Sequence, residues 1–380
     1  MNLRETIGKY FKGDGVIWAV ILILSILSVL VVYSSTGTLA YRHEERSLSY
    51  FVLKHAGLLF LGGVIIFITH RIPYRIYSRL SLLLLAISAV MLLITLIMGV
   101  NLNEASRWIK IPGLGLTIQT SDFAKLALIM YIARVLSVHQ EDIMRFKFVF
   151  WYLLLPIFVV CMLIMPANLS TALILMVTSM MLLFVGRVPL KHLVLVGGGS
   201  VLILIIIIGG AVATGDNMRV GTWQNRIENY VTGEGGDSYQ SDQSKIAIAS
   251  GGFLGKGPGN STQRNFLPHP YSDFIFAIIV EEYGFLGGLV IVALYMFLLY
   301  RAGLVVRKSK RAFGAFLAMG LTLSLSFQAL INMGVAVGIL PVTGQPLPLV
   351  SMGGTSLLFT GVALGIILNV SRSVELEQNA

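Results

Sequence analysis

The stretch Gly15-Val-Ile-Trp-Ala-Val-Ile-Leu-Ile-Leu-Ser-Ile-Leu-Ser-Val-Leu-Val-Val-Tyr-Ser34 decides the fold. It carries no charge, and a helix of that length covers about 30 Å, the thickness of a bilayer's hydrocarbon layer. It is too long for the core of a signal peptide and has no small-residue cleavage site after it, so it reads as a retained span. The same test applied along the chain finds nine more runs: Phe51 to Thr69, Leu80 to Val100, Phe123 to Val138, Phe148 to Met165, Leu169 to Gly186, Leu190 to Thr214, Glu282 to Tyr300, Phe313 to Gly338 and Val350 to Val370. The expected fold is an all-α polytopic membrane protein of about ten transmembrane helices, one integral domain over residues 1–380, with a large extracytoplasmic loop at 215–272 between helices seven and eight.

Composition agrees. Of 380 residues, 56% are hydrophobic and 12% charged, with a mean hydropathy of +0.83. A soluble domain carries roughly 25% charged residues, so this chain cannot clothe a water-exposed surface. Disorder is excluded by the same figures, and nucleic-acid binding is not expected despite a net charge of +10. The lone Cys161 rules out an intrachain disulfide and a cysteine-based metal site.

The positive charge is a topology signal. With the N-terminus inside, Arg4, Lys9, Lys12, Arg71, Arg75, Arg79, Arg145, Lys147, Arg187, Lys191, Arg301, Arg307, Lys308, Lys310, Arg311 and Arg372 all fall on the cytoplasmic side, where short loops retain them and anionic lipid attracts them. The short outer loops keep Arg42, Arg46, Arg107 and Lys110. Both termini are expected in the cytoplasm.

Chemistry is sought on the other face. There the segment 215–272 holds Trp223, Ile227 and Tyr230 at helical spacing, then Ser250-Gly-Gly-Phe-Leu-Gly-Lys-Gly-Pro-Gly-Asn-Ser261. The glycines do not fit a P-loop, because Lys256 precedes Gly257 and no Gly-Lys-Ser/Thr follows the required spacing. What remains is either a turn or a glycine backbone open to a polar ligand, with Lys256 and Arg264 close by as cations. Asp273 ends the loop and meets Phe274-Ile-Phe-Ala-Ile-Ile-Val-Glu-Glu282. A helix from Phe274 to Tyr300 is too long for one upright span, so an interfacial or broken helix should carry Asp273, with the span proper starting near Glu282. A carboxylate at the rim of an apolar region suits a general acid or base; its plainer role is a helix N-cap. The Glu281-Glu282 pair reads as structural, at the interface. Lys125, one turn into a span entered from the outer face, opposes the helix dipole, and either Asp122 or a lipid phosphate offsets that. Arg107-Trp108 fits a headgroup contact, or an ordinary interfacial tryptophan. Asn168 reads as a helix cap. The six histidines have no metal-ligand spacing.

Several of these pieces occur together in an order that resembles one family. Arg107-Trp108, Gln119-Thr-Ser-Asp-Phe-Ala-Lys125, Gln243-Ser, Gly259-Asn-Ser-Thr-Gln263, Leu267-Pro, Ser272-Asp-Phe-Ile-Phe-Ala277, Glu281-Glu-Tyr-Gly284, Pro341-Val-Thr-Gly344 and Leu347-Pro-Leu-Val-Ser-Met-Gly-Gly-Thr-Ser356 are similar to the SEDS family of bacterial shape, division and sporulation proteins. The match runs through nearly the whole chain. The Ser351-Met-Gly-Gly-Thr and Ser272-Asp-Phe contexts are nearer its division branch, while Pro-Val-Thr-Gly and the short termini are nearer its elongation branch. Three acidic positions of the family differ: Asp122 stands for Glu, and His269 and Asn168 stand for acidic residues. The Asp273 position is kept.

The resemblance implies a glycosyltransferase of the bacterial inner membrane, multi-pass with its active face outside, that polymerises lipid II into a growing glycan strand. It implies work with a class B penicillin-binding transpeptidase among divisome or elongasome proteins, surrounded by membrane lipids. Such a displacement needs a base, cations for a departing diphosphate and a lateral opening for two lipid tails. Asp273 is the expected base. Arg107, Lys125, Lys256 and Arg264 are the expected cations, and Trp108, Gln119, Gln243, Asn260, Ser261, Gln263 and Ser351 the further substrate contacts. A divalent cation, magnesium or manganese, is compatible with that step, and no ligand set for one is written in the sequence. The rival readings are a lipid II flippase or other transporter, and a non-enzymatic scaffold for the transpeptidase.

Overall fold

The computed structural model of the chain describes residues 12–37, 47–98, 100–102, 105–110, 117–199, 229, 232 and 235–378. Its helices are α1 (Gly15–Ser35), α2 (Leu48–Arg71), α3 (Tyr74–Met98), α4 (Thr120–Val138), α5 (Phe146–Ile164), α6 (Leu169–Val185), α7 (190–199 over its described part), α8 (Gly236–Gly251), α9 (Ile275–Lys308), α10 (Ala312–Ala336) and α11 (Thr355–Gln378). Among the described residues, seven are long and apolar enough to cross a membrane: α1, α2, α3, α5, α9, α10 and α11. Helix α6 is apolar but shorter, and α4 carries Asp122, Lys125 and Arg134. The chain is a polytopic all-α membrane protein.

Its outer faces are apolar, as lipid requires: Phe60 is 76% exposed and Ile97 82%. With lipid as greasy as the core, helices associate through close approach of small residues rather than through hydrophobic burial. Gly361 and Gly365 of α11 show this against α2. A side chain at Gly365 would strike Thr69 Oγ1 and the Ile66 carbonyl, and one at Gly361 would come within 3.0 Å of the Gly62 carbonyl. Helix α5 absorbs Pro156, which cannot donate to the preceding turn, by widening to a π-helical turn over Phe150–Leu154.

At one end of the bundle Asp14 caps α1, its Oδ1 accepting from Val16 N at 2.9 Å and Ile17 N at 3.2 Å. Its Oδ2 takes the Arg301 guanidinium at 2.8 and 2.5 Å, tying the start of α1 to the end of α9.

At the opposite end two connections carry structure of their own. The connection after α3 contains a small antiparallel sheet, β1 (Val100–Leu102), β2 (Ala105–Lys110) and β3 (Thr117–Gln119), in the order β1-β2-β3. The segment after α7 is also structured in part: α8 lies within it and packs on α9. The expected helix around Trp223, Ile227 and Tyr230 lies outside the described residues. Helix α9 is broken, as its length requires, at Gly284, whose φ of 71° and ψ of −171° lie outside the helical region. A short first segment, Ile275 to Tyr283, thus leads from Asp273 to the break.

Candidate functional site

A helix broken at membrane depth frees backbone groups that must find partners in protein. Here the glycine-rich loop supplies them. Lys256 N and Gly257 N donate to the carbonyls of Glu281 and Glu282 at 3.0 and 2.9 Å, while Phe285 N and Leu286 N donate to the carbonyls of Gly252 and Phe253 at 2.9 and 3.4 Å. The two backbones touch, which is why glycines stand there. A side chain at Gly255 would run into the Glu282 carbonyl, and one at Gly284 into that of Phe253. The polar group approached by this glycine backbone is therefore the broken helix itself, which corrects the reading of the loop as an open ligand cradle.

The same junction buries two carboxylates. Glu281 is 0% exposed and Glu282 1%. Glu281 Oε1 accepts from Lys256 Nζ at 2.6 Å and from Thr262 N, Thr262 Oγ1 and Ser250 Oγ at 3.1, 2.9 and 3.3 Å. Its Oε2 accepts from Ser261 Oγ at 2.5 Å and Gln263 N at 3.3 Å. Glu282 Oε1 accepts from Ser34 Oγ, at the end of α1, and from Ser261 N at 3.3 Å. Arg264 donates to the Ser34 carbonyl at 2.8 Å, and Asn260 Nδ2 to the Lys256 carbonyl at 3.0 Å. Thus Lys256, Ser261, Gln263 and Arg264, expected to hold substrate, converge instead on the Glu pair and on α1. They clamp the loop to the short segment that begins just after Asp273.

Asp273 lies one residue before Phe274, the N-cap of α9. Its Oδ1 accepts from Ser272 Oγ at 2.8 Å. Helix α10 and the connection from it to α11 grip this backbone from the other side. Asn332 Nδ2 donates to the Asp273 carbonyl at 2.9 Å and to that of Gln345 at 2.8 Å. Ser351 Oγ donates to the Ser272 carbonyl at 2.6 Å and Met352 N to that of Tyr271 at 2.9 Å. Ser351, proposed as a ligand contact on sequence, is 3% exposed and acts on backbone.

Lys125 Nζ lies 2.7 Å from Asp122 Oδ1, the ion pair expected to offset the helix dipole. The ammonium also donates to Gln328 Oε1 at 3.1 Å, and Gln328 Nε2 donates to the Pro346 carbonyl at 2.9 Å. Gln328 and Asn332 are four apart on α10 and share a face, so the Lys125 pair and the Asp273 backbone hang on adjacent turns of one helix. Lys125 and Asp122 open into a crevice between α4, α10 and α11 whose polar lining includes Ser324, Ser356 and Thr360. Trp108 and Gln119 are register partners across β2 and β3, and Thr355 Oγ1 ties β3 to α11 through Thr117 O at 3.0 Å and Gln119 N at 3.3 Å. Gln243 is half-buried on α8. The side chain of Arg107 lies outside the described residues. Asn168 caps α6, accepting from Thr171 N at 3.2 Å. Among the described residues no group of three His, Cys, Asp or Glu gathers as a metal site.

Gln328 was missed on sequence, although it stands four residues before Asn332 inside the apolar run Phe313 to Gly338, and a polar pair at that spacing was the available signal.

The comparisons with known proteins follow this geometry. The profile of the FtsW, RodA and SpoVE family, described as cell cycle proteins, matches residues 14–376. The chain is 32% identical over 381 residues to the probable peptidoglycan glycosyltransferase FtsW of Trichlorobacter lovleyi, covering 98% of each chain. It is 34% identical over 372 residues to the stage V sporulation protein E of Bacillus subtilis, covering 96% of this chain and 98% of the other. Among solved structures, a chain of a peptidoglycan synthase complex, studied for how polymerization and crosslinking are coordinated, superposes with a TM-score of 0.76 at 26% identity over 95% of this chain and 98% of that one. The rod shape determining protein RodA of Thermus thermophilus shares the fold, with a TM-score of 0.68 at 24% identity over 96% and 98% of the two chains. Profile, relatives and fold agree with the motif order: the chain belongs to the FtsW, RodA and SpoVE family of cell cycle proteins, the SEDS family, and is FtsW-like.

Proposed function

We propose that the chain is a peptidoglycan glycosyltransferase that polymerises lipid II into β-1,4-linked glycan at the extracytoplasmic face of the bacterial inner membrane, with both termini in the cytoplasm. The observation that carries this is Asp273: a carboxylate at a helix start, with backbone held by Asn332 and by Ser351, next along α10 to the Lys125 ammonium. A base must keep its position while charge develops, and a grip on its backbone from a separate element supplies that. The named relatives and the synthase-complex fold support the same reading.

In the reaction, the acceptor's 4-hydroxyl oxygen attacks the anomeric carbon of the donor. The bond from that carbon to the lipid diphosphate breaks, its electron pair leaves with undecaprenyl diphosphate, and the hydroxyl proton passes to Asp273. A single displacement inverts the anomeric centre. Lys125 neutralises charge on the departing diphosphate, and the crevice beside it offers apolar walls to a lipid. Lys256 and Arg264 hold the loop rather than the substrate. A class B penicillin-binding transpeptidase is the natural partner, because the new strand must be crosslinked as it emerges.

The test is glycan formation from purified lipid II, read on a gel. Asp273→Asn should abolish it, consistent with the roughly 10² to 10⁴ in rate that a positioned base provides, while lipid II binding and the melting temperature stay unchanged. Full polymerisation by this variant sinks the assignment. Scrambling of labelled lipid II in liposomes without polymerisation indicates a flippase, and neither activity indicates a scaffold.

A further inference from the structure

We infer that His55 of α2 and Ser28 of α1, which no motif singled out, are positioning residues for glycosyl transfer, acting through the turn at residues 347–351. The inference rests on Asp273 being the base.

The turn is strained. Leu349 has φ of 64°, a left-handed conformation that a side chain disfavours. Such residues cost about 1 to 3 kcal/mol and persist only where surroundings over-determine them. Here buried side chains of α9 and α1 hold the turn from outside, and Ser351 holds it from within. Tyr295 of α9 donates its hydroxyl to the Pro348 carbonyl. Ser28 Oγ donates to the Val350 carbonyl at 2.8 Å and sits 2.7 Å from His55 Nε2. Ser351 Oγ accepts from Leu347 N at 2.8 Å, closing the turn, and donates to the Ser272 carbonyl beside Asp273.

The hydrogens fix the direction of the relay. A serine hydroxyl has one proton, and Ser28 gives it to Val350 O, so His55 Nε2 must carry the hydrogen it shares with Ser28. The ring's Nδ1 has no partner among the described residues, and the residue is 1% exposed. An unsatisfied buried nitrogen is costly, and the bond that His55 donates to Ser28 offsets that cost. That bond orients Ser28, Ser28 fixes Val350, and the turn passes the constraint to Ser272 and Asp273.

The test is steady-state glycan polymerisation by the purified full chain, with melting temperature measured in parallel. His55→Met fills the space and donates nothing; it should lower kcat about 10-fold at unchanged KM for lipid II. His55→Gln places an N–H near the position of Nε2 and should restore most of the rate, and Ser28→Ala should match His55→Met. Wild-type kcat in His55→Met, or equal loss in His55→Met and His55→Gln, overturns the inference. Asp273→Asn is run beside them: its inactivity alongside a fully active His55→Met sinks the relay alone, whereas an active Asp273→Asn sinks the catalytic reading on which it rests.

Discussion

Lys256 reaches from the glycine-rich loop to place Nζ 2.6 Å from Oε1 of Glu281, a carboxylate with no exposed side-chain surface. Removing one partner of a buried pair costs more than the pair contributes, because the other charge is left uncompensated. Lys256→Met should therefore destabilise by about 2 to 3 kcal/mol, less than the full buried-pair penalty because the serine and threonine donors remain. Glu281→Gln combined with Lys256→Met should recover part of that loss. A double-mutant cycle on melting temperature checks it, and strict additivity counts against a coupled pair.

The break in α9 yields a separate expectation. Gly284→Ala forces a side chain into a φ of 71° and against the Phe253 carbonyl, so the loop must leave the helix or the helix must straighten. Trypsin should then cut at Lys256 and Arg264 faster than in the parent chain, and polymerisation should fall with it. Unchanged cleavage would mean that the junction tolerates the methyl group.

How much of this was readable from sequence follows from what each signal rests on. Spans rest on long apolar runs, a local property, so helix positions came through among the described residues, including the need for a break between Asp273 and Tyr300, while most of the expected span Leu190 to Thr214 lies outside them. Pairings across the fold did not. Lys256 and Glu281 are 25 residues apart and Ser34 and Glu282 are 248 apart, so the cations near the loop read as free for substrate when folding had already assigned Lys256 to the Glu281 carboxylate and Arg264 to Ser34. The glycines of residues 251–257 were legible as a demand for close approach, but not the identity of the group that approaches. The grip on Asp273 by Asn332 and Ser351 was invisible for the same reason, since both act on backbone carbonyls that no side-chain pattern encodes.

Helix packing can be tested with a pair of glycines. Gly365→Ala places a methyl group against Thr69 Oγ1 and the Ile66 carbonyl, a backbone atom that cannot rotate away, and overpacking of this kind costs roughly 1 to 3 kcal/mol. Gly303→Ala in α9 meets nothing within 4 Å. It should be neutral or raise stability by about 0.4 to 1 kcal/mol, because alanine has fewer unfolded states to lose. Melting temperatures of the two variants should move apart, and equal shifts would show that α2 and α11 are not in close contact.

Lys125 separates a structural from a catalytic charge. As only the partner of Asp122, its loss should lower stability and leave the rate per folded molecule unchanged. As the group that meets the departing diphosphate, it acts where charge develops, and a preorganised donor of that kind is worth about 10² to 10³ in kcat. Lys125→Met should then lower kcat and kcat/KM for lipid II together, the signature of an interaction made in the transition state. Asp122→Asn removes the same ion pair but leaves the ammonium held by Gln328 at 3.1 Å, so it should cost far less in rate. Equal losses in the two variants would return Lys125 to the fold and leave the diphosphate to a cation elsewhere.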